Sequence, residues 1–407
     1  MHLRSLLAVL LLAQAAVAAD WPQYAGPTRN NVSPETELLK QWPEGGPKVL
    51  WSTALGEGFG GAAIAGSEVF VLDRPASGPE GKDSLRCFDL ASGKELWSYT
   101  YDAPGKTSYN GSRAVPAVTA QHVFSVGPFG HFICLDRKTH QPVWQTQVIA
   151  AGVKLPPWAI AKSPLVYKDS VIVGTVEKNA GITAYEQATG KVLWKSETAH
   201  TAYSSPVLLE VGGQLQLVMT LENAIVGVSP DTGKQLWSFG AWKCNIPIPH
   251  PVSMGGGRLF VSAGYKAGSV MIEVSGSEVK ELWRIAPGSQ VHQPLVAGDA
   301  IYFNGTTNST PREGIVCVDI ASGEILWKSG AQPALQHNNL IAAAGVFYLL
   351  DASGSLNIVE PSREALKVVA SAKLLGGRDI WAPMALSNGK LIIRDQSELK
   401  CLDISGR

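Results

Sequence analysis

The chain has 407 residues, and its 34 Lys+Arg balance 34 Asp+Glu. Zero net charge excludes the basic surface that nucleic acid requires and the polybasic patch that holds a protein on anionic lipid. A hydrophobic fraction of 45% excludes disorder, and 42 Gly, 25 Pro and 12 Trp with only 17% charged residues point to an all-β chain of many short strands.

Residues 1–19 are expected to be an export signal. Arg4 precedes the apolar run Leu6–Leu12, and the small residues Ala16 and Ala18 have the spacing of a cleavage site. The uncharged stretch Ser5–Ala19 is too short to span a bilayer comfortably, and no later segment is apolar enough to cross one. The mature protein is therefore expected in the periplasm or outside the cell. Residues 20–47, rich in Pro and Gly, are expected to strap across the body before its first strand.

One unit then recurs on a fixed ruler. It reads CFDLASGKELW (87–97), CLDRKTHQPVW (134–144), AYEQATGKVLW (184–194), GVSPDTGKQLW (227–237), EVSGSEVKELW (273–283) and CVDIASGEILW (317–327). A seventh copy puts Val368 where Trp is expected. An eighth starts at Cys401 and stops short, while its missing piece, KVLWSTAL (48–55), stands at the other end. Each copy follows a short apolar strand, often led by a small residue and Pro, and a second run read as alternating. The unit is strand, strand, strand, turn, strand, the size of a propeller blade. An eight-bladed β-propeller follows, a single domain over 48–407, with residues 48–55 supplying the outer strand of the last blade and removing two edges.

The acids of the unit (Asp89, Asp136, Glu186, Asp319, Glu360, Asp403) are read as turn acceptors, not catalysts. Gly93, Gly190, Gly233 and Gly323 stand where the hairpin wants positive φ. Each Trp is read as a wedge between blades with its N–H on a backbone carbonyl. Five cysteines, none adjacent to another, are read as buried thiols; a Cys87–Cys401 bridge across the closure is the alternative.

The unit A/C-x-D/E-x-x-T/S-G-x-x-x-W resembles the tryptophan-docking repeat of pyrroloquinoline quinone (PQQ) dehydrogenases and of the outer-membrane barrel-assembly factor family, over residues 48–404. DWPQYAGPTRNNVSP (20–34) resembles the opening of secreted bacterial PQQ-like repeat proteins. The resemblance implies eight blades and leaves two functions open. One is an exported binding or scaffold module whose partner is a protein, a polysaccharide or a small molecule. The other is a dehydrogenase using PQQ with Ca²⁺ on an alcohol or sugar. The quinoproteins' adjacent cysteine pair is absent here, and so are long insertions around a cofactor. Their calcium triad finds no match beyond Glu177, Asn245 and Asp379 near blade boundaries, so no catalytic residue is carried over. The assembly factors' lipid-accepting cysteine is also absent.

In a propeller, the loops entering the innermost strands crowd a central funnel. Those loops carry Phe59, Arg113, Trp158, Lys162, Tyr203, His250, His292, His337, Arg378, Asp379 and Trp381. Aromatic rings with positive donors would suit a flat ligand bearing anionic or carbonyl groups. His250, His292 and His337, from consecutive blades, are weak candidates for a metal; the alternative is that they bond turn backbone.

Overall fold

The computed structural model describes residues 20–200, 203–308, 313–335 and 337–406; residues 1–19 lie outside the described residues. Eight antiparallel sheets form an eight-bladed β-propeller. Blade 1 runs from the inner strand Ala63–Ala65 through Glu68–Ala76 and Lys82–Asp89 to the outer strand Glu95–Asp102. The inner strands of blades 2 to 8 are Ala117–Val118, Leu165–Tyr167, Val207–Val211, Val252–Ser253, Leu295–Ala297, Asn339–Ala343 and Ala385–Ser387. Blade 6 adds a short piece, Gly288–Ser289, beside Ala300–Thr306. Blade 8 is completed by Lys48–Ala54, which pairs with Glu398–Asp403 and sets Trp51 opposite Cys401.

The second strands are not alternating, as expected from sequence, but buried on both faces. Val69, Phe70, Val71 and Leu72 are all fully buried, as are Val171, Ile172 and Val173. A blade is covered by a neighbour on each side, so its middle strands take continuous apolar runs, as sheets buried on both faces do. Alternation survives on outer strands such as Glu95–Asp102, where exposed and partly buried residues take turns.

Four of the repeat tryptophans join blade to blade through an indole hydrogen bond, whereas the buried N–H of Trp97 has no partner among the described residues. The indole N–H of Trp51 donates to Leu90 O at 3.0 Å, Trp144 to Gln187 O at 2.8 Å, Trp283 to Ile320 O at 3.1 Å and Trp327 to Ser362 O at 2.9 Å. Each acceptor lies in the turn of the following blade. The turn glycines gain a second reason to be glycine. They have φ of 70–74°, and a Cβ would stand 2.5 Å from Trp51 at Gly93, 2.7 Å from Trp144 at Gly190 and 2.3 Å from Trp194 at Gly233. In blade 2 this position holds His140, also at positive φ, and its ring stacks on Trp97 at 4.7 Å. Four of the six turn acids behave as expected: Asp89, Asp136, Asp319 and Asp403 each accept backbone N–H groups of their own turns, whereas Glu186 accepts the Thr189 hydroxyl.

The ruler slips in two blades. In blade 5 a two-residue turn joins Ser275 to Glu278, so Trp283 faces Met271 rather than Glu273. That blade offers no docking turn, and Trp237 folds back onto its own blade, its N–H on Gln216 Oε1 at 2.6 Å. In blade 7 a longer turn places Ala370, not Val368, opposite Ile358. The residues before strand 48–54 fill the gap. Leu39 N donates to Ile404 O, the carbonyl that matches Leu90 in blade 1. Trp42 packs beside Ala370 with its N–H on Leu356 O at 3.1 Å.

Residues 21–33 enter the ring rather than crossing over it. Trp21 exchanges backbone hydrogen bonds with Ile64, Val118 N donates to Pro22 O, and Val32 bridges Ala342. Arg29, fully buried, donates to Pro164 O at 2.9 Å. This segment therefore ties the inner strands of blades 1, 2, 3 and 7 together and closes one end of the channel. All five cysteines are free and buried, Cys87 and Cys401 among them.

Candidate functional site

Opposite that plug, the loops leading into the inner strands enclose a cavity of about 420 Å³. Tyr24 from the plug lines it together with loop residues of the blades. The cavity gathers seven of the eleven sequence candidates: Phe59, Arg113, Trp158, Tyr203, His292, His337 and Trp381. Tyr109, Tyr265, Gln290, Ser163 and Ser205, none of them singled out from the sequence, also line it.

The rings form two groups. Trp381 lies 5.1 Å from Phe59, 5.2 Å from Tyr109 and 4.6 Å from His337. Trp158 lies 5.8 Å from Tyr203 and 6.1 Å from Tyr265. Arg113 belongs to the first group, with its guanidinium 5.6 Å from the centre of the Phe59 ring. Two of its N–H groups donate to Gly111 O and Tyr109 O, both neutral acceptors. Burial lowers its pKa to about 10, so it stays a cation at neutral pH. Among the described residues no Asp or Glu lines the cavity. At the mouth, Glu57 is engaged by Arg378 at 3.0 Å and by Asn110.

Four candidates lie elsewhere. The Arg378 side chain is 75% exposed and pairs with Glu57 outside the cavity. Asp379 shapes backbone: at φ 51° its carbonyl accepts from Trp381 N and Gln396 Nε2. Lys162 is fully buried along Gly174 and toward Met219, with no hydrogen-bond partner for Nζ among the described residues. Burial pushes its pKa well below the usual lysine value. His250 is buried under Tyr24, their rings edge to face at 5.7 Å, with Nδ1 at 3.2 Å from Pro251 O.

The three histidines do not converge on a metal. His292 spends both ring nitrogens: Nε2–H donates to His337 O at 3.0 Å, and Nδ1 accepts from Asn339 Nδ2 at 3.1 Å. Burial lowers the pKa of His250 and His292 to about 3 and that of His337 to about 4, so all three are neutral. Among the described residues no three His, Cys, Asp or Glu side chains could hold a metal ion together.

The calcium-bound quinone implied by the resemblance was tested against these donors. Ca²⁺ takes six to eight oxygens, with carboxylates prominent. Among the described residues the lining offers no carboxylate; Glu177 is paired with Lys195 at 2.7 Å, and Asn245 is exposed. A tricarboxylate quinone would meet a single cation, Arg113, and leave two carboxylates desolvated without partners. The residues present do not fit the metal-bound cofactor. What the lining offers is two groups of aromatic rings and, among the described residues, one cation.

The sequence and fold have relatives. The family model described as "Outer membrane protein assembly factor BamB" matches residues 81–329 and 225–405. The assembly factor BamB of Burkholderia pseudomallei is 24% identical over 254 residues, covering 58% of this chain and 58% of its own length. The quinoprotein ethanol dehydrogenase of Pseudomonas aeruginosa is 22% identical over 57% of this chain, which spans only 41% of the dehydrogenase. The structure of BamB from Moraxella catarrhalis superposes with a TM-score of 0.63 at 14% identity, covering 88% of this chain and 98% of that one. With its docking tryptophans, its closure by residues 48–54 and a family match across most of its blades, the chain belongs to the BamB family of PQQ-repeat propellers.

Proposed function

We propose that this protein is an exported binding module of the bacterial cell envelope that captures ligands in its funnel without transforming them. The observation that carries this reading is the funnel's composition among the described residues: two aromatic groups and one unneutralised cation, with no carboxylate to act as base or to hold a divalent ion. The relatives named as assembly factors support a module that works by binding, with a protein partner on its outer faces. Residues 1–19 support export.

Purified protein mixed with PQQ and Ca²⁺, then offered ethanol or glucose with an electron-accepting dye, is expected to give no dye reduction. Turnover above the protein-free control, lost in Trp381→Ala, would overturn the binding reading and establish a quinoprotein dehydrogenase. Cell fractionation with and without residues 1–19 tests the location, with the full chain expected in the envelope fraction.

A further inference from the structure

Resting on the reading of the funnel as a capture site, the geometry points to its ligand class: we infer that it binds a small planar aromatic monocarboxylate, with the ring system between the two aromatic groups and the carboxylate on Arg113. The ring system follows from the walls. Trp381, Phe59 and Tyr109 form one ring cluster in the lining and Trp158, Tyr203 and Tyr265 a second. Faces and edges of this kind favour a flat π-system over a saturated one. The space between them, about 420 Å³, lies in the range that encloses molecules of drug size.

The charge follows from Arg113. A guanidinium carries five N–H donors in a plane, and here backbone carbonyls use two of them. The remainder have no carboxylate to meet along the wall. A carboxylate entering the funnel forms a charge-assisted, two-point contact with the guanidinium, stronger than a hydrogen bond between neutral groups. One cation calls for one anion. The two histidines of the wall are uncharged at neutral pH and add none. A saccharide could use Gln290, Ser163, Ser205 and the tyrosines, but it would leave Arg113 without an anion.

Titration calorimetry on the purified protein with 2-naphthoate, 2-naphthamide and cyclohexanecarboxylate tests this. Saturable one-to-one binding of 2-naphthoate is expected. The uncharged amide and the saturated acid are expected to bind about tenfold or more weakly. Arg113→Gln is expected to lower naphthoate affinity about tenfold or more and to leave the amide unchanged, a pattern that general destabilisation does not produce. Absence of naphthoate binding at millimolar concentration would overturn the inference, as would equal affinity for acid and amide. Both readouts come from the unsubstituted protein and survive a variant that fails to fold. Dye reduction with PQQ and Ca²⁺ is followed on the same preparation. Turnover there overturns the capture reading itself; no turnover together with no naphthoate binding overturns only the ligand class.

Discussion

The rim and the funnel are built from one chain by opposite rules. At the rim a single device is repeated: a tryptophan on an outer strand, a carbonyl in the next blade's turn, and a glycine that leaves room for the ring. In the funnel nothing repeats. The loops bring Phe59, Arg113, Trp158, Tyr203, Gln290, His337 and Trp381, with no residue type held from one loop to the next. The rim must match itself wherever a tryptophan of one blade docks on the turn of the next, because both halves of that contact come from the same repeat. The funnel's residues meet only a ligand and one another, so each is free to differ. Rim substitutions should therefore cost stability and spare binding, and funnel substitutions should do the reverse.

The largest effect is expected at the ring's seam. Trp51 is 8% exposed, bonds Leu90 in blade 1 and sits on the strand that completes blade 8. Trp51→Ala removes a docked ring and weakens the closure, and should cost about 3–5 kcal/mol, the scale for deleting a buried aromatic. Urea titration followed by circular dichroism measures it. A loss below about 1 kcal/mol would mean that tryptophan docking decorates the rim without holding it.

A smaller effect comes from the buried histidines between rim and funnel. His250 and His292 have folded pKa values lowered to about 3 by burial, aided at His250 by Arg29 and at His292 by His337. The unfolded chain binds protons near pH 6.5 and the folded chain does not. Stability contributed this way is complete above pH 6.5 and is lost as pH falls toward 3. Between pH 7 and pH 5 each histidine should cost about 2 kcal/mol. Urea midpoints at the two pH values measure the sum, and His292→Gln should flatten the slope by its share. A midpoint that does not move between pH 7 and pH 5 would show these imidazoles to be reachable by protons in the fold.

How far the sequence could be read follows from the same contrast. Eight blades, the seam between residues 48–54 and 398–403, and the roles of the turn acids follow from spacing, because the rim repeats one solution. The reading failed where the repeat changed length. A shortened turn in blade 5 and a lengthened one in blade 7 shift the ruler by two residues, so Glu273 and Val368 were taken for positions that Met271 and Ala370 occupy. The rescue of blade 7 by Leu39 and Trp42 left no local signal, since its parts lie some three hundred residues apart in sequence. In the funnel, proximity to an inner strand located seven lining residues but not the direction of a side chain. Lys162 sits between Ala161 and Ser163, both of which line the cavity, yet it points away from it into the blades. Tyr24 reaches the cavity from the plug, with no strand to mark it. Tyr109 lies in the loop ahead of the inner strand of blade 2 and Tyr265 in the turn between the second and third strands of blade 5, and their aromatic character was the one signal that would have found them.

The smallest expected effect on stability is the one that tests the contrast most directly. Trp381 is as large as Trp51 and touches three rings, Phe59, Tyr109 and His337. Size alone would predict a comparable loss on truncation. Its position predicts otherwise: it is half-buried, borders open space, and packs against side chains of loops rather than against the body of a neighbouring blade. Trp381→Ala should then cost about 1 kcal/mol, roughly the worth of the ring contacts it gives up, while weakening the binding of 2-naphthoate and 2-naphthamide alike, since both present the same rings. Urea unfolding and calorimetry on one preparation give both numbers. If Trp381→Ala destabilises the fold as much as Trp51→Ala does, the funnel's aromatic rings are part of the core, and the division of labour between rim and funnel fails at the residue where it should be clearest.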